Sequence, residues 1–120
     1  MSLYMEQLAL RLKGLGDPTR LRVIRLLDHG ELCVCDLMAG LDLPQSTVSR
    51  HMSFLRNGGW VDGRRKGKWV YYTLTAPADA IQSDILEILG RRLPDMEKAR
   101  QDHERLLIHL ANQTEATCSD

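Results

Sequence analysis

The sequence lacks the long apolar run and the leader that would place it across a membrane or outside the cell. None of the hydrophobic stretches in its 120 residues approaches the roughly 20 residues needed to span a bilayer. The first residues, MSLYMEQLALRLKG, have neither the basic start nor the small-residue cleavage site of a secretory signal. We therefore expect a cytoplasmic protein with no membrane partner, in which thiols stay reduced.

Signatures of catalysis are missing as well. The sequence contains no phosphate-binding glycine loop, Ser/His/Asp grouping or paired-carboxylate pattern. A CxC pair also occurs in thiol–disulfide exchange enzymes, but the β-α-β setting expected for them is absent. We therefore expect neither an enzyme nor a catalytic cofactor, and thiol–disulfide exchange is the enzymatic alternative.

Length and composition favour a single domain. Domains of about 100–150 residues are typical, and 43% hydrophobic with 27% charged residues suits one packed core rather than a disordered chain. No linker, internal repeat or low-complexity stretch divides the sequence. We expect one domain over residues 1–113 and a flexible tail over residues 114–120.

The formal net charge of zero conceals a strongly basic segment. Residues 45–75 contain six Lys and Arg but only one acid, Asp62, which gives this segment +5 and the rest of the chain −5. Such a concentration of positive charge on an otherwise acidic chain is typical of an element that binds a polyanion.

Periodicity predicts a mostly α fold with one small β-hairpin, an α+β arrangement. Asp17 and Pro18 form a typical helix start, with Asp17 as the N-cap. Apolar residues at helical spacing predict helices over residues 3–15, 18–29, 36–39, 44–57, 81–89 and 95–111. The short third helix follows the apolar stretch Leu32–Cys35. It is joined to the fourth by a tight connection containing Gly40, which fits a helix-turn-helix.

After the fourth helix the sequence pattern changes to a repeat of two residues, which is typical of β-strands. Trp60–Arg64 and Trp69–Leu74 are strand-like, and the basic turn Arg65–Lys68 lies between them. The hairpin therefore carries positive charge at its tip.

The first and last helices carry apolar seams beyond what one small core needs. The seam of the last helix is formed by Met96, Ala99, His103, Leu106 and Leu110. A two-fold homodimer would bury both seams, and readers of DNA half-sites are usually symmetric. The alternative is that both helices pack on their own domain.

The fourth helix and the hairpin carry side chains that suit DNA binding. Short polar groups and one Arg suit base edges in the major groove, and a basic turn suits the phosphate backbone. The candidate DNA-binding residues are Gln45, Ser46, Thr47, Ser49, Arg50 and His51 on the helix, and Arg64, Arg65, Lys66 and Lys68 on the hairpin. A solvated polar helix beside a charged turn is the alternative interpretation.

Three segments, GDPTRLRVIRLL, ELCVCDL and STVSRHMSFLRNGGWVDGRRKGKWVYYTL, resemble the ArsR/SmtB family of winged-helix repressors, in the family's order and over roughly residues 5–90. ELCVCDL resembles its branch that responds to trivalent arsenic. The resemblance implies a homodimer that binds a palindromic operator and leaves it when a metal or metalloid binds. It also implies that Gln45, Ser46, Ser49, Arg50 and His51 match the recognition helix, and that residues 64–68 match the wing.

Cys33 and Cys35 are the candidate ligands for the effector, because thiolates select soft, thiophilic ions such as trivalent arsenic and antimony. Residues two apart diverge by about 200° around a regular helix, whereas in an extended segment they lie on the same side. The pair can therefore chelate through extended or unwound backbone. Our hypothesis is that capture unwinds residues 32–36 and shifts the recognition helix.

The third ligand is open. The arsenic-responsive pattern often continues CVCDLC, but this sequence has Met38 there, which we interpret as a core side chain. Cys118 is the remaining cysteine and the candidate third ligand, within its own subunit or across to the partner. An external thiol, or an arsenical that needs only two sulfurs, is the alternative.

Other effectors and classes remain as alternatives. A repressor of the same family could respond to cadmium, lead or mercury, or to thiol oxidation, although no cysteine precedes Cys33 as in the family's cadmium and lead sensors. His103 and His109 lie on different faces of the last helix and do not fit the family's zinc pattern. An architectural DNA-binding protein with no effector is the third class.

Overall fold

Most of the chain is helical, as its apolar spacing predicts. The computed structural model describes residues 2–113, with side chains from residue 5 onward. Within that range it contains six α-helices, a 3-10 turn and three strands. Their bounds are α1 Ser2–Leu15, α2 Pro18–Leu27, β1 Leu32–Cys33, α3 Val34–Leu41, α4 Gln45–Asn57, β2 Val61–Lys66, β3 Trp69–Leu74, α5 Ala80–Arg92, the 3-10 turn Leu93–Asp95 and α6 Glu97–Asn112. None of the helices in this range is long and apolar enough to cross a membrane. The tail predicted over residues 114–120 lies outside the described residues.

The mostly α fold with a β-hairpin is confirmed, and one strand is added to the hairpin. β2 and β3 pair antiparallel from Val61–Leu74 to Lys66–Trp69. β2 extends through Lys66, so the turn between the strands has two residues and is shorter than predicted. Gly67, in this turn, has a φ of 62°. The short strand β1 pairs with the other edge of β3, which places Cys33 opposite Tyr71.

The helix α3 begins two residues earlier than predicted. Cys33 is its N-cap, and it forms a capping box in which its backbone N–H donates to the Asp36 carboxylate at 2.9 Å. Because this cap lies ahead of Val34, the helix includes Cys35 instead of starting at Asp36. The prediction that Leu32–Cys35 wholly precedes the helix is therefore wrong, and only its first half is strand.

The core is built from the apolar faces of the helices. Val23, Ile24 and Leu27 of α2 belong to one buried cluster with the fully buried Trp60. Val48, Met52 and Leu55, spaced along one face of α4, are buried in the same cluster. Trp60 Nε1 also donates to the Arg11 carbonyl at 2.7 Å, which ties α1 to this core.

α6 packs along α3 of its own chain. A Cβ added at Gly40 would lie 2.8 Å from Leu26 Cδ1 and 3.4 Å from Leu106 Cβ, so the glycine permits the close approach. Ala99 and Leu106 of the predicted seam are buried here, whereas Met96 is 55% exposed. Much of the seam is thus used inside the domain.

A separate apolar surface is left open on α1 and α5. The ion pair between Arg11 and Asp79, at 2.6 Å, joins α1 to the N-cap of α5. The exposed large apolar side chains of these two helices are Met5, Leu10, Leu12, Ile81 and Ile88. We call this set the α1/α5 surface.

Candidate nucleic-acid interface and thiol site

The recognition helix α4 presents most of its predicted DNA-reading side chains to solvent. Gln45, Ser46, Ser49 and Arg50 are exposed, and Thr47 is half-buried. Pro44 is the N-cap of the helix and lies in extended conformation, so the first helical N–H groups begin at Gln45. This arrangement allows hydrogen bonds to base edges from the side chains and to a phosphate from the helix N-terminus.

His51 lies at the contact between α4 and α2. Its side chain is only 12% exposed, and Nδ1 is 3.8 Å from Asp17 Oδ1 and 3.4 Å from Arg20 Nη1. Burial lowers the pKa of His51, and the charges of Arg20 and Arg50 act in the same direction, while Asp17 opposes them. The ring is therefore neutral at pH 7, and it packs against the start of α2 beneath the exposed face of α4.

The wing presents its four predicted cations at the surface, and a carboxylate that the sequence analysis missed pairs with two of them. Glu31 accepts from Arg64 at 2.9 Å and from Lys66 at 3.4 Å. Desolvation raises the pKa of Glu31, but the hydrogen bonds and charges of Arg64 and Lys66 outweigh it and lower that pKa. The net charge of residues 45–75 does not include Glu31, because this residue lies earlier in the sequence. The fold brings it next to the wing.

The other two wing cations extend over aromatic rings or into solvent. Lys68 Nζ lies 5.1 Å from the centroid of the Trp69 ring, a cation–π contact, and Arg65 is exposed. Together with Arg64 and Lys66 they form a continuous basic edge that can meet a phosphate backbone.

The thiol pair straddles the junction between β1 and α3. Cys33 is 2% exposed and has extended backbone angles, φ −86° and ψ 171°. Cys35 is the second residue of α3 and is half-buried. Burial is the largest cause that raises the pKa of the Cys33 thiol. The extended geometry expected for chelation is therefore present at one cysteine, and helical geometry at the other.

Asp36 connects this pair to the end of α6. Its Oδ2 accepts from the Cys33 N–H at 2.9 Å, and its Oδ1 accepts from His109 Nε2 at 2.9 Å and from Gln113 Nε2 at 3.2 Å. Sequence analysis missed this role, although an Asp three residues after an N-cap is a local signal for a capping box. The partners on α6 carry no local signal, because they lie more than 70 residues away.

A cavity of about 160 Å³ borders Cys35 on the DNA-reading side of the domain. Gln45 and Ser49 of the recognition helix line one part of it, and Lys68 and Trp69 of the wing line another. The helices α3 and α4 and the wing thus meet beside Cys35.

Met38 packs against the hydrophobic core and is half-buried, which confirms its interpretation as a core side chain. Within residues 2–113, no three His, Cys, Asp or Glu side chains come together as a metal site. His29 and His103 approach each other with ring centroids 6.4 Å apart. Cys118 lies outside the described residues.

Comparison with known proteins places these features in one family. Residues 17–62 match the family described as "Bacterial regulatory protein, arsR family". The chain is 45% identical over 76 residues to the arsenical resistance operon repressor of Escherichia coli K12, a match that covers 62% of this chain and 65% of that protein. The matching segment thus spans just under two thirds of this relative.

Two solved structures have the same fold. HlyU from Vibrio cholerae is 31% identical, with a TM-score of 0.66 over 76% of this chain and 96% of HlyU. The homodimeric winged helix-turn-helix DNA-binding domain of Mb0332 from Mycobacterium bovis is 25% identical, with a TM-score of 0.65 over 80% of this chain and 87% of that domain. The predicted winged helix-turn-helix is therefore confirmed.

Proposed function

This chain belongs to the ArsR family of bacterial regulatory proteins, and from that premise we propose that it is a homodimeric repressor of arsenic-resistance genes. It binds a palindromic operator and releases it when trivalent arsenic or antimony is captured by Cys33, Cys35 and Cys118. The family regulates transcription through DNA, so the chain is a transcriptional regulator rather than an enzyme.

The exposed faces of α4 and the wing support the assignment of the operator contacts. Arg50 can donate to two acceptors of a guanine, and Gln45 can pair with an adenine. Ser46, Thr47 and Ser49 offer short hydroxyl groups near them, and Arg64, Arg65, Lys66 and Lys68 meet the adjacent backbone. His51 contributes by holding α4 against α2, since its side chain is largely buried.

The chemistry of the thiol pair supports a thiophilic effector. Two sulfurs on one centre lie no more than about 4.6 Å apart if each bond is near the ~2.3 Å of a zinc–thiolate bond. The described residues hold no complete three-ligand group, and Cys118 is the remaining cysteine of the sequence, so the proposal takes it as the third ligand. The arsenical resistance repressor among the relatives supports arsenic as the effector.

The position of the pair supports a direct route to the DNA-binding elements. Drawing the two sulfurs together is unfavourable while Cys33 is extended and Cys35 is helical, so capture distorts the β1–α3 junction. β1 pairs with β3 of the wing, with Cys33 opposite Tyr71. Distortion at the junction is therefore passed to the wing and to α4, and a coupling of about 1–3 kcal/mol would change operator occupancy substantially.

The α1/α5 surface supports a homodimer. It consists of exposed large apolar side chains on α1 and α5, and apolar side chains left at the surface of a soluble protein can form an interaction site. The related Mb0332 domain is homodimeric. A two-fold dimer presents two recognition helices to two half-sites, which is why a palindromic operator is expected.

The observation that carries the proposal is the location of the CxC pair at the junction that links the wing strand β3 to the helix-turn-helix. The experiment is an effector titration of the reduced protein bound to its upstream promoter DNA. Arsenite, antimonite and cadmium are added in turn, and fluorescence anisotropy follows release. We expect arsenite and antimonite to release the wild-type protein, and Cys33→Ser or Cys35→Ser to abolish release.

Met38→Leu serves as the matched control, because this side chain neighbours the pair but packs in the core. It should respond like the wild type, whereas Cys118→Ser should need more arsenite for the same release. Release of a Cys33→Ser/Cys35→Ser double variant by arsenite at wild-type concentrations would show that another site captures the effector.

A further inference from the structure

α6 contacts α3 at both ends of that helix. At the C-terminal end, Arg105 Nε donates to the Gly40 carbonyl at 3.0 Å. The two helices pack closely there, since a Cβ added at Gly40 would lie 3.4 Å from Leu106 Cβ. At the N-terminal end, His109 Nε2 donates to Asp36 Oδ1 at 2.9 Å. α6 therefore holds α3 in place through contacts within one chain.

The Asp36 carboxylate joins α6 to the backbone of the first cysteine. It is 5% exposed, and its two oxygens have different partners. Oδ2 accepts from the Cys33 N–H at 2.9 Å, whereas Oδ1 accepts from His109 Nε2 at 2.9 Å and from Gln113 Nε2 at 3.2 Å. Because α6 holds the carboxylate by two hydrogen bonds, it also holds the backbone that the carboxylate caps. We call Asp36, His109 and Gln113 the Asp36 clamp.

Both cysteines lie within the short loop that this cap closes. The hydrogen bond from the Cys33 N–H to Asp36 encloses Cys35. The backbone is extended at Cys33 and helical at Cys35, so drawing the two sulfurs onto one centre changes the torsion angles between them. Such a change moves the Cys33 N–H relative to a carboxylate that α6 keeps in place. Capture of the effector therefore works against the Asp36 clamp as well as against the local cap.

We infer that His109 and Gln113 are positioning residues that set the effector concentration at which the operator is released. This inference rests on the proposed function. By holding Asp36, the two side chains stabilise the undistorted β1–α3 junction and oppose capture by the thiol pair. When only a fraction of the molecules has the geometry that a ligand needs, the apparent affinity is lowered by that fraction. Loosening the Asp36 clamp raises the fraction, so less effector is needed.

The direction of this effect separates the inference from a role in supporting the site. If His109 and Gln113 held the two thiols ready for the effector, loosening them would cost preorganisation and weaken binding. The Asp36 clamp acts in the opposite sense, because the geometry that it holds is the one that capture distorts.

The test follows release of promoter DNA from the reduced protein by arsenite, with fluorescence anisotropy. For the His109→Ala/Gln113→Ala variant we expect half-release at an arsenite concentration about 3- to 10-fold lower than for the wild type, a change of the size that lost hydrogen bonds produce. Operator affinity without arsenite should stay within about twofold of the wild type, because the hydrogen bonds of both side chains go to Asp36 rather than to α4 or the wing.

Hydrogen exchange, measured by NMR, gives a second readout without any effector. The Cys33 amide should exchange faster in the variant, because its acceptor is less confined. The amides of α4 should keep their wild-type rates, since the opening is local.

Three further variants complete the test. His109→Gln keeps an N–H donor toward Asp36 and should respond to arsenite as the wild type does. Glu104→Ala/Asn112→Ala changes two exposed side chains of the same helix and should also leave the response unchanged. Gln113→Ala removes only the longer contact, so it should shift half-release in the same direction by about two- to threefold, and it provides the measurement if the double variant does not fold.

Half-release of the clamp variants at the wild-type arsenite concentration, or at a higher one, would overturn the inference. A Cys33 amide that exchanges at the wild-type rate would do the same, as would weakened operator binding without arsenite, which indicates a general structural role. In each of these cases the wild type still responds to arsenite, so the proposed function stands. A wild-type protein that arsenite does not release would overturn the proposed function together with the inference.

Discussion

At the scale of single residues, the charge of the wing depends on Glu31, a residue just before the thiol pair. It pairs with Arg64 and Lys66, so two of the four wing cations have a carboxylate partner before any DNA arrives. A phosphate has to compete with that carboxylate for the same donors. The operator affinity of the protein therefore reflects the difference between two sets of contacts.

Replacing Glu31 with Gln should tighten operator binding. The change removes the charge that competes with phosphate, and exposed ion pairs of this kind are individually weak, so we expect an increase in affinity of roughly two- to tenfold in an anisotropy titration at low salt. The gain should shrink as salt rises, because the contacts involved are electrostatic. Glu104→Gln, an exposed acid on α6, is the matched control. An equal gain in both variants would indicate an effect of overall charge rather than of the wing.

Residues whose roles are set locally could be predicted from the sequence. Asp17 and Pro18 cap α2 as expected, since the Asp17 carboxylate accepts from the backbone of Thr19 and Arg20 only a few positions away. The environment of the His51 side chain could not be predicted in this way. Its position on α4 suggested an outward side chain, but the contact with Arg20 joins two helices 31 residues apart. Helical periodicity gives the direction of a side chain and carries no information about the neighbouring helix.

At the scale of elements, the main surprise is how α6 is used. The apolar spacing predicted this helix correctly, but the spacing alone cannot distinguish packing within the chain from packing between chains. Buried polar contacts show that α6 packs on helices of its own chain. Asp102 is fully buried and accepts from Arg22 at 2.7 Å and from Arg105 at 2.5 Å, while Arg22 also donates to the Leu41 carbonyl at 2.8 Å. These partners join α6 to α2 and to the end of α3.

The strand β1 and the start of α3 were harder to predict for a similar reason. A two-residue strand has almost no periodic signal, and its partner Tyr71 lies in the wing. The sequence indicated an apolar stretch ahead of the third helix, and it did not indicate that the start of this stretch belongs to the same sheet as the wing. The connection between the two candidate ligands and the wing therefore follows from tertiary structure.

Replacing Asp102 with Ala should destabilise the domain strongly. The change leaves the largely buried Arg22 without its carboxylate, and breaking a buried pair typically costs about 3–5 kcal/mol. Because the Arg22 side chain keeps 16% exposure, we expect the lower end of this range. Urea unfolding followed by circular dichroism measures the free energy of unfolding. Asp95→Ala, an exposed acid before α6, should change it by less than about 0.5 kcal/mol, and a similarly small change for Asp102→Ala would show that the pair contributes little.

At the scale of the whole molecule, the proposed function depends on how positive charge and exposed apolar side chains are distributed over the surface. The basic segment of residues 45–75 carries +5, and the remainder carries −5. A protein with this distribution can orient its wing and recognition helix toward DNA while the acidic remainder stays away from it. The α1/α5 surface is a second, apolar feature, and dimerisation through it would bring two basic segments onto one duplex.

The dimer interface can be tested with a pair of matched substitutions. Ile88 of the α1/α5 surface is 49% exposed, and Leu107 of α6 is 44% exposed. If the α1/α5 surface forms the dimer, Ile88→Glu buries an unpaired charge there and should give a folded monomer by light scattering and circular dichroism, whereas Leu107→Glu should remain dimeric.

Operator binding should follow the oligomeric state, because a monomer loses the gain from engaging two half-sites at once. We expect Ile88→Glu to bind a full palindrome at least about 100-fold more weakly than the wild type, and to bind a single half-site with nearly wild-type affinity. Retention of half-site binding matters, because it shows that the reading surface of α4 is intact. The opposite result, in which Leu107→Glu is monomeric and Ile88→Glu dimeric, would place the interface on α6, one of the two helices that the sequence analysis assigned to a homodimer.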